Sequence, residues 1–446
     1  MRFDFFRRHD SGNAAAGDGS KAADSAAQPP AAAAAERSAD GYVTYALLVD
    51  VQKRVAGYRL AWQPEAPHNA ASTAELFKAL VSCVGRHLNA PKTGWRLGHT
   101  VLFFDVTAET LAASELQALP PDNVVLCLGM DALMDDDVRP ILLFLREQGF
   151  RFMLLGAEEL PEDAELRALV THFDAGDGHP DRVAKLRREE QPGQPPLHLI
   201  ATRLAAWHDF ETCAARRVDV FVDGAGVQPE REPETDRTLQ PESMLIVRLM
   251  QMIQRNEDLR EIEAALKHDA ALTYRLLRHI NSPAIGVGVE IHSLRHAVTM
   301  LGYSPLFRWL SLLLATSNAK ASPPFLMKKA IIRGRFVELM GQGMLPSGES
   351  DNLFVVGMFS LIDQLLGVTM QEVLRKVQLS ESVQQAILAR EGMYGPFLAL
   401  AESCEADGSQ AARLSEALFM SVEQVNAAHL AALVWAQDVS PAEASY

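Results

Sequence analysis

Cysteine is scarce in this chain of 446 residues, and the four present, Cys83, Cys127, Cys213 and Cys404, stand far apart with no CxxC spacing. That pattern fits reduced, mostly buried thiols rather than a disulfide framework or a zinc module, and it assigns them no chemistry. Long apolar runs are missing too: no uncharged stretch reaches the roughly eighteen residues that a bilayer-spanning helix requires. A soluble protein without membrane insertion is expected. The opening MRFDFFRRHDSG is basic but lacks the continuous apolar core of a secretory signal, so the expected compartment is the cytoplasm. Cations are in deficit, 42 Lys and Arg against 57 Asp and Glu for a net charge of −15. This opposes general attraction to nucleic-acid phosphates, and no direct nucleic-acid partner is expected. The chain also has no GxxxxGK[ST] phosphate loop and no GxSxG elbow.

What is present falls into pieces, and the length suits two domains. Residues 1–40, rich in Ala, Ser, Asp and Gly, carry few large apolar groups to offset ordering entropy and read as a disordered tail. From 41 to 228, eight short β-branched or aromatic runs (YVTYALLVD, VAGYRLAW, TVLFFDV, NVVLCLG, FRFMLL, VTHFDA, LHLIA and VDVFVD) alternate with helical patterns. Such alternation predicts a parallel α/β domain, plausibly a barrel. In one intervening helix Ser72 caps, and Leu76, Leu80, Val84 and Leu88 repeat every fourth residue. Residues 229–240 are polar, proline-containing and aperiodic, which predicts a linker. From 241 to 440 every segment looks helical. Asp258 with Glu261 forms a capping box, Asp269 caps the next helix, and Ser293 and Gly302 bound another.

In a parallel α/β barrel, chemistry belongs at the C-terminal ends of the strands. Those positions hold Arg59 or Gln63, Asp105, Cys127, Gly156, Asp174, Thr202 and Asp223. A divalent cation needs several converging oxygens, and Arg59 would repel it, so a reduced site built from Asp105, Asp174 and Asp223 stands against the plainer reading that these aspartates cap helices. Histidine precedes aspartate at His9, His208 and His268, but no further ligands cluster with any of them. His292 and His296 have a metal-compatible spacing of four, although His292 merely precedes the cap Ser293. Lys328, Lys329, Arg333 and Arg335 form a basic helix segment that could grip an anion or acidic partner, with a solvated helix face as the simpler reading. The glycines of GVG at 286–288 read as a turn.

One resemblance is specific. KHDAALTYRLLRHINSPAIGVGVEIHSLRHAVTMLGYSPLFRWLSLLL, residues 267–314, resembles the HDOD output domain. That family is similar to metal-dependent HD hydrolases without their ligands, and here Ser360 and Leu361 stand where the His and Asp would be. The front half in turn resembles a worn EAL domain, a barrel that hydrolyses cyclic di-GMP and precedes HDOD in a family of bacterial two-domain signalling proteins. VAGYRLAWQ is similar to the family's VxGYEALLR strand, with Arg59 for the metal-binding Glu and Gln63 for the ligand-contacting Arg. The same resemblance puts Asp105, Cys127, Gly156 with Ala157, and Thr202 at metal positions, His172 at the catalytic Lys, and Asp223 at the closing Gln. The front half is also short, which implies that one barrel unit is reduced.

The expectation is therefore an α/β plus all-α protein: a degenerate barrel followed by a helical HDOD domain, acting as a non-catalytic signalling scaffold on other regulatory proteins. No cofactor or metal is expected, cyclic di-GMP is not expected to bind, and self-association is left open. The candidate interaction residues are Asn281, Ser282 and Pro283 in the loop, and Lys328, Lys329, Arg333 and Arg335 on the basic helix. The alternatives are a cyclic di-GMP or nucleotide sensor that does not hydrolyse its ligand, and a residual cyclic di-GMP phosphodiesterase.

Overall fold

The structure, a computed structural model, describes residues 40–65, 71–90, 94–188, 196–204, 207–223, 239–267, 269, 272–274, 277, 281, 291, 293–317 and 323–439. The expectations for the tail, most of the linker, His9, His268, Ser282, Pro283, the turn at 286–288 and His292 lie outside the described residues.

Each of the eight predicted runs forms a strand: β1 (Gly41–Asp50), β2 (Val55–Pro64), β3 (Val101–Asp105), β4 (Val124–Gly129), β5 (Arg151–Leu155), β6 (Val170–Gly176), β7 (His198–Ala201) and β8 (Val220–Val222). They close into a barrel in chain order. β1 runs antiparallel to both of its neighbours, and the other pairs are parallel. Period-two alternation sorts the side chains. Leu48, Phe103, Val125, Cys127, Met153 and Ile200 fill the barrel, while their sequence neighbours Leu102, Phe104, Leu126, Phe152 and Leu199 join the layer under the helices.

The crossovers include α1 (Thr73–Leu88), α2 (Arg139–Glu147), α3 (Ala164–Leu169), α4 (Pro180–Arg188) and α5 (Trp207–Ala215). Ser72 and Glu75 close a capping box on α1, whose buried face is Phe77, Leu80, Val81, Cys83 and Val84, with Leu76 and Leu88 only at its edge. The reduction implied by the short front half falls on a helix, not a strand. Between β3 and β4 the chain makes only the single turn Ala108–Leu111 and two short 3-10 segments.

The helical region comprises α6 (Pro241–Gln254), α7 (Leu259–Lys267), α8 (Leu294–Leu301), α9 (Tyr303–Thr316), α10 (Pro324–Gly341), α11 (Ser347–Phe359), α12 (Ile362–Leu366), α13 (Met370–Val377), α14 (Glu381–Ala389), α15 (Gly395–Cys404), α16 (Ala411–Ala417) and α17 (Val422–Asp438). Ser293 accepts from His296 N and Asp269 from Leu272 N as predicted; Asp258 caps through Arg260 N, and among the described residues Glu261 does not complete the predicted box. At its centre α10 crosses α11 where a Cβ on Gly357 would lie 2.6 Å from the Cα of Gly334, so only glycine permits that approach.

A β1–β2 hairpin has no crossover helix to cover it, and helices of the second half fill the place. Asn426 on α17 accepts from Val43 N at 2.8 Å and donates to Gly41 O at 2.8 Å, and His429 Nδ1 lies 3.0 Å from Val43 O. The His429 ring stacks on Phe336 of α10 and meets the edge of Tyr45. At the far end Phe325 N donates to Lys53 O in the hairpin turn. Beyond Leu60, β2 pairs with β1 alone, which leaves a two-stranded ribbon above the barrel. Tyr42 on that ribbon shares a 2.6 Å hydrogen bond with Ser415 of α16.

Candidate functional site

Arg59 lies midway along β2, and the alternation that sends Leu48 and Phe103 into the barrel turns it inward at the strand-end mouth. Its guanidinium forms a two-pronged bond to Asp105 at the end of β3, Nε to Oδ1 at 3.0 Å and Nη2 to Oδ2 at 2.8 Å. Burial disfavours its charge, yet Asp105 more than offsets this and raises the guanidinium pKa. The pair remains within reach of solvent, with 27% of the arginine and 53% of the aspartate side chain exposed.

Asp174 on β6 ties three strand ends together. Its Oδ1 accepts from Gly176 N at 2.9 Å and from Thr202 Oγ1 at 2.5 Å, and its Oδ2 lies 3.4 Å from Gly156 N. Gly156 has φ +63, with open space where a Cβ would stand. The carbonyl of Ala157 accepts from Arg182. Gln63 is half-buried under the loop after α15, where a Cβ on Gly408 would meet its Cβ at 2.8 Å.

Several sequence-level placements change. His172 does not reach the mouth: it lies deeper in the barrel than Asp174, edge-on to Phe103 and 5.0 Å from the His198 ring, with Thr171 Oγ1 2.8 Å from its Nδ1. Burial, with His198 and Arg151 adding to it, pushes its pKa down to about 3, so it is neutral. Cys127 is a buried barrel residue whose thiol pKa burial raises. Asp223 turns towards the helices, where its carboxylate, 5% exposed, meets Lys329 Nζ of α10 at 2.8 Å. Burial raises its pKa, and Lys329 opposes the shift.

The basic helix is not a solvated face. Besides Lys329, Lys328 donates to Ala436 O and Arg335 bonds Glu338 at 2.7 Å. Arg333 is buried, bonding Glu405 at 2.7 and 2.6 Å, Ser360 Oγ at 2.7 Å and Glu402 at 3.2 Å. Burial opposes the Arg333 charge, but Glu405 outweighs it and raises the pKa. A guanidinium thus sits against Ser360, the position at which the resemblance implies the hydrolase histidine. Asn281 is a loop closure: it donates to Ile291 O at 2.8 Å and accepts from Ile291 N at 2.7 Å.

These residues do not fit a two-cation centre. Among the described residues no three His, Cys, Asp or Glu side chains converge, and the three strand-end aspartates go to Arg59, to mouth hydrogen bonds and to Lys329.

Comparison with known proteins assigns the second half. Residues 239–389 match the HDOD domain family. This segment is an HDOD domain. The order of parts, an eight-stranded barrel followed by the HDOD domain, is that of the EAL-HDOD arrangement the sequence resembles. Over 206 residues, 46% of this chain and 48% of the relative, the chain is 29% identical to a Vibrio cholerae protein named cyclic di-GMP phosphodiesterase CdgJ. Over 199 residues, 44% and 48% respectively, it is 24% identical to the uncharacterized protein YuxH of Bacillus subtilis. The match spans about half the length of each curated relative. Among solved structures, the Xanthomonas citri FimX EAL domain in complex with c-diGMP is similar at 13% identity and TM-score 0.32, covering 40% of this chain and 84% of that one.

The similarity to a named cyclic di-GMP phosphodiesterase overturns two expectations, that the chain is a non-catalytic scaffold and that it does not take cyclic di-GMP. Both rested on residues lost at aligned strand ends. The structure shows that two of those alignments, at His172 and Asp223, do not pick out mouth residues at all.

Proposed function

We propose that this chain works in cyclic di-GMP signalling, with the barrel mouth taking the dinucleotide and the HDOD domain, clamped on the β1–β2 hairpin, carrying the response. The supporting observation is the 29% identity to a protein named as a cyclic di-GMP phosphodiesterase. The mouth offers fitting chemistry. Arg59 carries a planar fork of donors that now faces a carboxylate half open to water, and a phosphodiester presents the same paired oxygens. The site includes Arg59, Asp105, Asp174, Thr202 and the open backbone at Gly156. We take residues 41–223 as the barrel and the HDOD region as beginning at 239. Among the described residues no single helix is long and apolar enough to cross a membrane. The four free, buried cysteines suit a reducing compartment, and we place the protein in the cytoplasm.

Two measurements test this reading. Calorimetry of the full chain with cyclic di-GMP should give saturating heat, and chromatography of the same mixture with Mg²⁺ or Mn²⁺ should show whether the ring is opened. Linear product abolished by a chelator places the chain with the named phosphodiesterase. Saturating heat with intact dinucleotide gives binding as the barrel's task, the outcome favoured by the Arg59–Asp105 pair. Absence of both heat and product removes the proposal.

A further inference from the structure

On the rim beside the Arg59 pair, two arginines converge where no family position led to them. Gly176 ends β6 with φ +64, and a Cβ there would lie 2.6 Å from Arg203 Nη2 and 3.2 Å from Arg182 Nη1. The two cationic nitrogens are therefore within about 6 Å of each other, close enough for appreciable repulsion. Arg182 is held in place: its Nη2 donates to Asp174 O at 2.9 Å and to Ala157 O, and its guanidinium lies 5.7 Å from the centre of the Phe173 ring. Arg203 follows Thr202 at the end of β7 and is exposed. Among the described residues neither arginine forms a salt bridge. On the rim, Asp174 has Oδ1 committed to Gly176 N and Thr202 Oγ1, and Asp177 Oδ1 accepts from His179 N.

We infer that Arg182 and Arg203, converging over Gly176, form an anion subsite for a phosphate or phosphodiester group. An oxyanion between them replaces mutual repulsion with two charge-assisted attractions, and guanidinium forks match phosphate oxygens. Gly176 leaves the space, because its positive φ and the crowding by both guanidinia disfavour a side chain. That the phosphate belongs to cyclic di-GMP rests on the reading above; the anion subsite itself does not.

The test titrates the full chain, and its Arg203→Glu and Arg203→Lys variants, with cyclic di-GMP and separately with pyrophosphate. Arg203 is exposed and Arg182 is left intact, so thermal melting should not change. Arg203→Glu should weaken both ligands at least tenfold, and Arg203→Lys should retain part of the affinity. Cyclic di-GMP binding as tightly to Arg203→Glu as to the unaltered chain overturns the subsite and leaves the functional reading standing. Arg203-dependent pyrophosphate binding without any cyclic di-GMP heat does the reverse. Pyrophosphate heat unaffected by Arg203→Glu identifies an adventitious ion only, and no heat from either ligand with the unaltered chain removes both.

Discussion

Arg59 stands where the resemblance places a metal-binding Glu, and Arg333 packs against Ser360, where it places a hydrolase His; each guanidinium is locked to a carboxylate by two hydrogen bonds. Such forks are directional and persist where an ammonium would not. His429 shows a different constraint. It is fully buried, its Nε2 has no hydrogen-bond partner among the described residues, and burial pushes its pKa down to about 4 against the favourable effects of Val43 O and Glu405. In the unfolded chain it takes up a proton below about 6.5. Between those values the unfolded state binds more protons, so stability falls as pH is lowered through the window, by about 3 kcal/mol for this group alone. His172, pushed down to about 3, acts in the same direction. The urea midpoint should therefore drop between pH 7 and pH 4.5, and the drop should shrink in His429→Phe, which keeps the stack on Phe336. A midpoint that ignores pH over this range contradicts the assignment of both histidines as buried and neutral.

Among the elements, the β1–β2 hairpin and the α10–α17 pair depend on one another. Asn426 answers two backbone groups of β1 that no neighbouring strand can reach. Asn426→Ala should cost about 2–4 kcal/mol in urea unfolding, because both would be left buried without partners. Lys329→Ala should cost roughly 3 kcal/mol, since it leaves the Asp223 carboxylate buried beside β8 without its cation. The strands were legible because each writes its own local pattern of β-branched and aromatic residues, and the caps at Ser72, Asp269 and Ser293 are likewise local. The environment of α10 was not. LMKKAIIRGRF has the spacing of a solvated basic face, but its partners Asp223, Glu402, Glu405 and Ala436 come from distant segments, and no local pattern encodes them. The mouth was legible in the same partial way: Arg59 and Asp105 were readable as strand-end residues, but their pairing appeared only once β2 and β3 lay side by side. Arg203 gave no sequence signal, because a single arginine after a strand resembles any surface cation.

The molecule joins barrel and helical half through a seam of backbone hydrogen bonds, stacked rings and a buried ion pair. A seam of this kind should make unfolding of the full chain a single calorimetric transition, whereas two well-separated transitions would show that barrel and HDOD domain are stable independently. Just after β8, Asp223 bonds Lys329 of α10, and the loop carrying Gly408 lies over Gln63, so the helical half meets the barrel at both places. The central claim is that this mouth receives cyclic di-GMP through Arg59. Its most direct test is calorimetric titration of cyclic di-GMP into the full chain and into Arg59→Glu. One saturable site per chain that disappears in the variant is the result this account predicts; no heat at all, or a site untouched by reversing that charge, would contradict it.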